Sequence, residues 1–256
     1  MAKRGLTDND VWAVCELLAT SCSRLHTLDL FGNQITSSGG VALAKVLPEA
    51  TMLKSISLSE NSLGDGAGVS IADALELNRN IKAVHLGANE LTDIAGDRFA
   101  TMLADPFCTV EELGLRHNKF TDKAGVAVAK SMSSNTSVQL LFVRGNAFGD
   151  PTGSAFADCL RSNTALQELY LSENNLTSAS AADLAAALKS NTALKKLFLK
   201  KNLIDDVGAH AFAEMLPDNT TLTMLSLGDN AISAAGKDAL ASAWGDRDGH
   251  VRFTAL

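Results

Sequence analysis

The amino-acid sequence predicts an α/β fold built from one strand-turn-helix unit repeated eight times. Three observations carry this. The pattern L-x-x-L-x-L-x-x-N-x-L recurs at Leu25, Leu53, Ile81, Val110, Val138, Leu166, Leu194 and Leu222. The step is 28 residues throughout, except for 29 between Ile81 and Val110, where Asp105-Pro106-Phe107-Cys108 takes up the extra residue. The ninth position is Asn in every unit: Asn33, Asn61, Asn89, Asn118, Asn146, Asn174, Asn202 and Asn230. A fixed period of this length is the signature of a repeat architecture, in which each unit buries its apolar face only against its neighbours.

Each element follows from its residues. Ahead of the repeats, Thr7 to Ser23 reads as a capping helix, with Thr7 or Asp8 as N-cap and Val11, Trp12, Cys15 and Leu18 as its apolar face. Within a unit, the fourth and sixth positions alternate with period two, as in Leu28/Leu30, Leu141/Val143 and Leu197/Leu199, so L-x-L is a short strand with both residues inward. The Asn then turns the chain. A buried amide needs partners for its N–H and its C=O, and stacked identical turns let each Asn bond the backbone of its own and the adjoining unit. An apolar residue two positions later (Ile35, Leu63, Leu91, Phe120, Phe148, Leu176, Ile204, Ile232) plugs the turn.

Pairs such as Thr92-Asp93, Thr121-Asp122 and Gly149-Asp150 supply the N-cap of a helix. Helical apolar spacing follows, as in Leu184, Ala185 and Leu188 or Phe212, Ala213 and Leu216. Gly68, Gly96, Gly125 and Gly153, with Ala181 and Ala209, are expected to let the helix approach the sheet closely. Each helix ends at an Asn such as Asn135, Asn163, Asn191 or Asn219, a common helix-ending residue. Asn135, Asn175 and Asn219 complete N-x-S/T sequons, but Asn163 and Asn191 fill the same slot without one, so the structural role explains them better. At the far end Trp244 replaces the usual Leu, and the tail from Val251 reads as an abbreviated ninth strand.

Strand-turn-helix units of this length resemble the ribonuclease-inhibitor-like class of leucine-rich repeats, a class that also occurs in NOD-like receptors and in the RanGAP family. The resemblance runs from about Leu25 to Leu256. It departs from ribonuclease inhibitor in carrying Asn where that protein often has Cys, and in being a short arc. It implies an α/β leucine-rich-repeat solenoid, a horseshoe arc with a parallel β-sheet on the concave face and α-helices on the convex face. The expected organisation is one domain over residues 1–256: a helical cap at 1–24, eight repeats over 25–249 and a capping strand over 250–256.

Composition narrows function. Apolar residues are 46% and charged residues 20%, which is globular rather than disordered. A net charge of −7 argues against nucleic acid and anionic membranes as partners. The N-terminal apolar stretch, Val11 to Leu18, is short and contains Glu16, so neither a signal peptide nor a membrane span is expected. Cys15, Cys22, Cys108 and Cys159 form no CxxC pair, which points to reduced thiols and a cytoplasmic setting. No phosphate-loop, nucleophile-elbow or zinc-protease motif occurs. The run Gly64-Asp65-Gly66-Ala67-Gly68 falls at the turn-to-helix position and reads as structural, and Cys15, Cys22 and His26 lack a fourth metal ligand. No catalytic residue, cofactor or metal is expected.

The informative side chains are those facing out of the sheet, at the third, fifth, seventh and eighth positions. Phe142, Tyr170 and Phe198 share the fifth position of three consecutive units and should form an aromatic ladder, flanked by Leu140 and Met224. Units four to seven carry Arg116, Arg144, Lys196, Lys200 and Lys201 against Glu112, Glu168 and Glu173, a basic surplus, whereas the first three carry only Asp29 and Glu60. A basic, aromatic half-face on an acidic chain suits protein docking, although stacked rings also stabilise a sheet by themselves. The resulting expectation is a monomeric, non-catalytic scaffold that binds a protein on its concave face. The alternative is a GTPase-activating regulator resembling RanGAP, whose acidic C-terminal tail has no counterpart in Arg252-Phe253-Thr254-Ala255-Leu256.

Overall fold

The computed structural model describes residues 1–19, 24–246 and 248–253. Among these residues, nine strands form one parallel sheet in strict sequence order. They are β1 (Thr27–Asp29), β2 (Ser55–Ser57), β3 (Ala83–His85), β4 (Glu112–Gly114), β5 (Leu140–Phe142), β6 (Glu168–Tyr170), β7 (Lys196–Phe198), β8 (Met224–Ser226) and β9 (His250–Arg252). A cap helix, α1 (Asp8–Ala19), comes first. The helices after the strands are α2 (Ser37–Val46), α3 (Gly64–Leu77), α4 (Asp93–Ala104), α5 (Asp122–Met132), α6 (Asp150–Leu160), α7 (Ser178–Leu188), α8 (Asp206–Met215) and α9 (Ala234–Trp244). Neighbouring strands sit about 4.8 Å apart and packed helices about 8–10 Å apart, so a stack of such units must curve with its sheet on the inside. The result is an α/β solenoid.

Its core is continuous. Each strand from β1 to β8 buries its central residue, and the residue just beyond the strand is buried as well: Leu28 and Leu30, Ile56 and Leu58, Leu141 and Val143, Leu197 and Leu199 are at most 1% exposed, while Val251 and Phe253 at β9 are only half-buried. The turn plugs from Ile35 to Ile232 are buried beside them, and Phe99, Phe156 and Phe212 close the space from the helices. Thr92, Thr121 and Thr177 are N-caps whose side chains accept from the backbone of α4, α5 and α7. The glycine-rich run at Gly64 opens α3.

The Asn turns form a hydrogen-bonded ladder. Asn61 Nδ2 donates to Leu58 O in its own unit and to Leu30 O in the unit before, and its Oδ1 accepts from Ile35 N. Asn89, Asn118, Asn174 and Asn202 bridge units in the same way and are buried. Asn33, Asn146 and Asn230 keep the bonding but are half-buried. Ahead of the first unit Asn33 turns instead to the N-terminal segment, accepting from Leu6 N and donating to Met1 O.

Several expectations are corrected. Trp12 is 52% exposed, and the buried face of α1 is Val11, Val14 and Leu18; Trp12 lies one residue, about 100° of helical turn, off that face. Residues 20–23 of the expected cap helix, and residues 254–256 of the expected capping strand, lie outside the described residues. The glycines admit neighbouring helices rather than the sheet: a Cβ on Gly96 would come 2.4 Å from the Ala124 Cβ of α5, and one on Gly68 3.0 Å from the Ala95 Cβ of α4. The expected helix-ending Asn135, Asn163, Asn191 and Asn219 lie three or four residues beyond the ends of α5 to α8, and none has a positive φ. Instead these residues make a second ladder. Asn191 Oδ1 accepts from Ala193 N and Leu194 N, while its Nδ2 donates to Leu160 O and Asn163 O of the previous unit. Asn78, Asn135, Asn163 and Asn219 are likewise buried, which leaves the sequons at Asn135 and Asn219 inaccessible in the folded chain. Asn175 is exposed.

Candidate functional site

The inner face of the sheet is a grid fixed by strand register. Phe142, Tyr170 and Phe198 are direct partners across β5, β6 and β7. Their rings stack: Phe142 and Tyr170 have centroids 4.3 Å apart at 25°, Tyr170 and Phe198 4.2 Å apart at 8°. The expected ladder is therefore present, and its three rings are half-buried rather than free. The row continues past Gly114 to His85, whose ring lies 6.3 Å from Phe142. Gly114 is required there, because a Cβ would come 2.7 Å from His85 Nδ1.

Beside the ladder runs the third-position row, Glu112, Leu140, Glu168, Lys196 and Met224, with Leu140 and Met224 both half-buried. Tyr170 does not offer a free hydroxyl. It donates to Glu168 Oε2 at 2.6 Å, and Lys196 Nζ stands 2.8 Å from Glu168 Oε1. Burial, followed by the Glu168 hydrogen bond, pushes the phenol above its usual range. Burial works against ionising Glu168, but the bonds from Lys196 and Tyr170 outweigh it and hold the carboxyl below its ordinary value.

The expected basic surplus is largely neutralised. Glu173 lies between Arg144 Nη2 at 2.8 Å and Lys201 Nζ at 3.0 Å, and these partners, Arg144 foremost, hold its carboxyl down at about 2. Lys200 faces Asp229 at 3.4 Å. Among the described residues, Arg116 and Arg252 make no ion pair with a carboxylate. Sequence counting missed this because it tallied charges unit by unit. The pairs reach across units, with partners 28 or 29 residues apart, so a search at the repeat period would have found them.

A further regularity was not anticipated. The eighth position, just before each Asn, takes a left-handed conformation in all eight units: Gly32, Glu60, Ala88, His117, Gly145, Glu173, Lys201 and Asp229 have φ between 52° and 69°. Only two are glycine, so the composition of that position gave no signal. Glu173 and Lys201, which pair at 3.0 Å, are the eighth residues of successive units.

Two hollows of about 320 Å³ each flank the ladder. One, towards the N-terminal end, lies over Gly87 and Gly114 between Phe31, His85 and Phe142, with Arg116 at its side. The other, towards the C-terminal end, has Tyr170 and Phe198 in its wall together with Arg144, Lys200 and Arg252. No group of three or more His, Cys, Asp or Glu among the described residues could hold a metal ion, and no described helix is long and apolar enough to cross a membrane.

Comparison with known proteins agrees with this architecture. The profile described as Leucine Rich repeat matches residues 21–44, 108–129 and 218–241, each spanning part of one unit of the array. These three matched stretches are similar to leucine-rich repeats, in line with the eightfold Asn pattern and the ordered parallel sheet. Among solved structures, Leiomodin-1 Actin-Binding Site 2 (ABS2) is similar at 21% identity and a TM-score of 0.49, over 57% of this chain and 84% of that one. No curated protein matches significantly.

Proposed function

We propose that the chain is a non-catalytic interaction scaffold that docks a protein partner on its concave face. The observation that carries this is the stack of Phe142, Tyr170 and Phe198, three rigid rings only half-buried on the inner face of the sheet. Rigid aromatic area costs little conformational entropy to bury, and such rings dominate protein interfaces. Leu140 and Met224 widen the apolar patch. Arg116, Arg144, Lys196, Lys200 and Lys201 form a polar surround that sets register and approach. The ionisable groups nearest the rings are engaged with one another, as in Lys196–Glu168–Tyr170, which suits a fixed docking surface better than a reaction centre. A monomer working in a reducing cytoplasm completes the reading.

The test is capture of a partner with wild-type bait and with two altered baits. Tyr170→Ala should abolish capture, and Lys189→Glu, on the helical side at the end of α7, should leave it intact. A partner retained by Tyr170→Ala and lost by Lys189→Glu would move the interface to the convex side. In a GTPase-stimulation assay the chain should not accelerate hydrolysis.

A further inference from the structure

We propose that the C-terminal hollow beside the ladder is an acid-reading pocket, which takes a carboxylate side chain from an extended acidic segment of the protein partner. The inference rests on the concave-face reading above and names the partner's chemistry.

Three cations converge on this hollow: Arg144, Lys200 and Arg252. Glu173 is the single carboxylate in its lining among the described residues, so these residues give the pocket a net positive charge on a chain whose overall charge is −7. Arg252 is the decisive group. It comes from β9, one strand beyond the repeats counted in the sequence, and pairs in register with Ser226. Its Nε donates to His250 Nε2, and no described carboxylate lies within ion-pair distance of it. A guanidinium engaged only through Nε keeps its remaining N–H donors for a planar anion, and carboxylate geometry matches them.

The floor is equally specific. Ser172 and Ser226 are each 7% exposed and line the hollow, and neither hydroxyl has a hydrogen-bond partner among the described residues. Both hydroxyls still reach solvent at the floor, where they can donate to a ligand oxygen in place of water. The adjoining wall of Tyr170 and Phe198 is apolar. The pocket therefore offers donors at one side and ring faces at the other, a pattern that fits a carboxylate next to an apolar or aromatic residue. A partner chain crossing the strands would lay its apolar side chain on the ladder and its acid beneath Arg252. The N-terminal hollow is different: Ser57, Ser59 and His85 also line it, but it holds one guanidinium, Arg116, beside the Glu112 carboxylate, against two guanidiniums and a lysine at the C-terminal hollow.

The experiment pans a phage-displayed random nonapeptide library on the full chain at low salt, then measures the selected synthetic peptides by fluorescence polarisation. Selected peptides should be rich in Asp or Glu next to an apolar residue. They should bind the Arg144→Ala/Arg252→Ala variant about tenfold or more weaker, with a shallower salt dependence. Arg252→Lys alone should retain part of the affinity, and all variants should melt close to wild type because these side chains lie outside the core. Peptides without acidic enrichment, or affinities unchanged by the double substitution, would overturn the acid pocket. The same peptides on Phe198→Ala separate the two ideas. If Phe198→Ala abolishes binding while the arginine variant does not, concave docking stands and the acid assignment falls. If neither substitution matters, or no peptide is selected, both fall.

Discussion

Replacing Asn174 with Ala removes one rung of the turn ladder, and the structure sets the size of the effect. Asn174 Nδ2 donates to Leu171 O at 3.0 Å and Ser172 O at 3.2 Å, with a weaker contact to Val143 O, while Oδ1 accepts from Asn146 N and Phe148 N at 3.2 Å each. The carbonyls have other donors: Asn202 Nδ2 also reaches Leu171 O, Asn146 Nδ2 reaches Val143 O, and Gly145 N reaches Ser172 O. The two backbone N–H groups have no replacement. A stranded buried donor costs about 1–3 kcal/mol, and Phe148 is fully enclosed while Asn146 is half-buried. The expected loss is therefore about 2–4 kcal/mol, or roughly 5–15 °C in Tm for a chain of this size. Asn146→Ala should cost less, because Asn146 is half-buried and its Oδ1 serves only Phe120 N, at 3.3 Å. Asn33→Ala should cost least, since its acceptor contacts go to the N-terminal segment near the surface. Urea denaturation followed by circular dichroism gives all three. Equal losses, or an Asn174→Ala variant within about 0.5 kcal/mol of wild type, would refute the argument that stranded donors set the cost.

Other expectations follow from the same geometry. Asn191→Ala, in the second ladder, strands Ala193 N and Leu194 N and should cost about 2 kcal/mol in the same assay, where a helix-ending preference alone would predict a few tenths. Ala88→Gly should leave stability unchanged or raise it by up to about 1 kcal/mol, because it relieves a left-handed Ala; a clear loss would contradict the assigned backbone. Glu173 has its folded pKa depressed from 4.5 to about 2, so its contribution is complete above pH 4.5 and is lost as pH falls towards 2; acid titration of Glu173→Gln should show a smaller drop across that window. Thiol titration should find four free cysteines after denaturation. In the native chain Cys159, buried and with its thiol pushed up to about 12, should react slowest.

Much of this architecture can be read from spacing alone, because a repeat converts sequence position into spatial position. Counting 28 residues from Phe142 gives Tyr170 and then Phe198, and sheet register can only place them side by side. The first Asn ladder is legible for the same reason. What could not be read was set by interactions with no single-residue signature. The helix-ending Asn looks the same in sequence whether it caps a helix or bridges two units. The left-handed eighth position tolerates Glu, Ala, His, Lys and Asp, so no glycine pattern marks it. Trp12 is apolar by type, yet the packing of α1 turns Val14 inward instead. The charges near the ladder had the right identities and the wrong sum, because Glu173 neutralises cations from both adjoining units. Arg252 escaped notice because it belongs to the strand that closes the array.

The measurement that bears most directly on the docking claim pairs affinity with stability for one substitution. With a purified partner in hand, Kd and Tm are determined for the wild type and for Tyr170→Ala. Tyr170 is stacked on both faces, so some loss of Tm is expected from the ladder itself, about 1 kcal/mol from the ring pairs. If the ladder anchors the partner, Kd should weaken by about thirtyfold or more, corresponding to about 2 kcal/mol, while the variant stays folded at the assay temperature. A variant that melts earlier but binds with unchanged Kd would show that the three rings serve only to hold the sheet together, and would contradict the account.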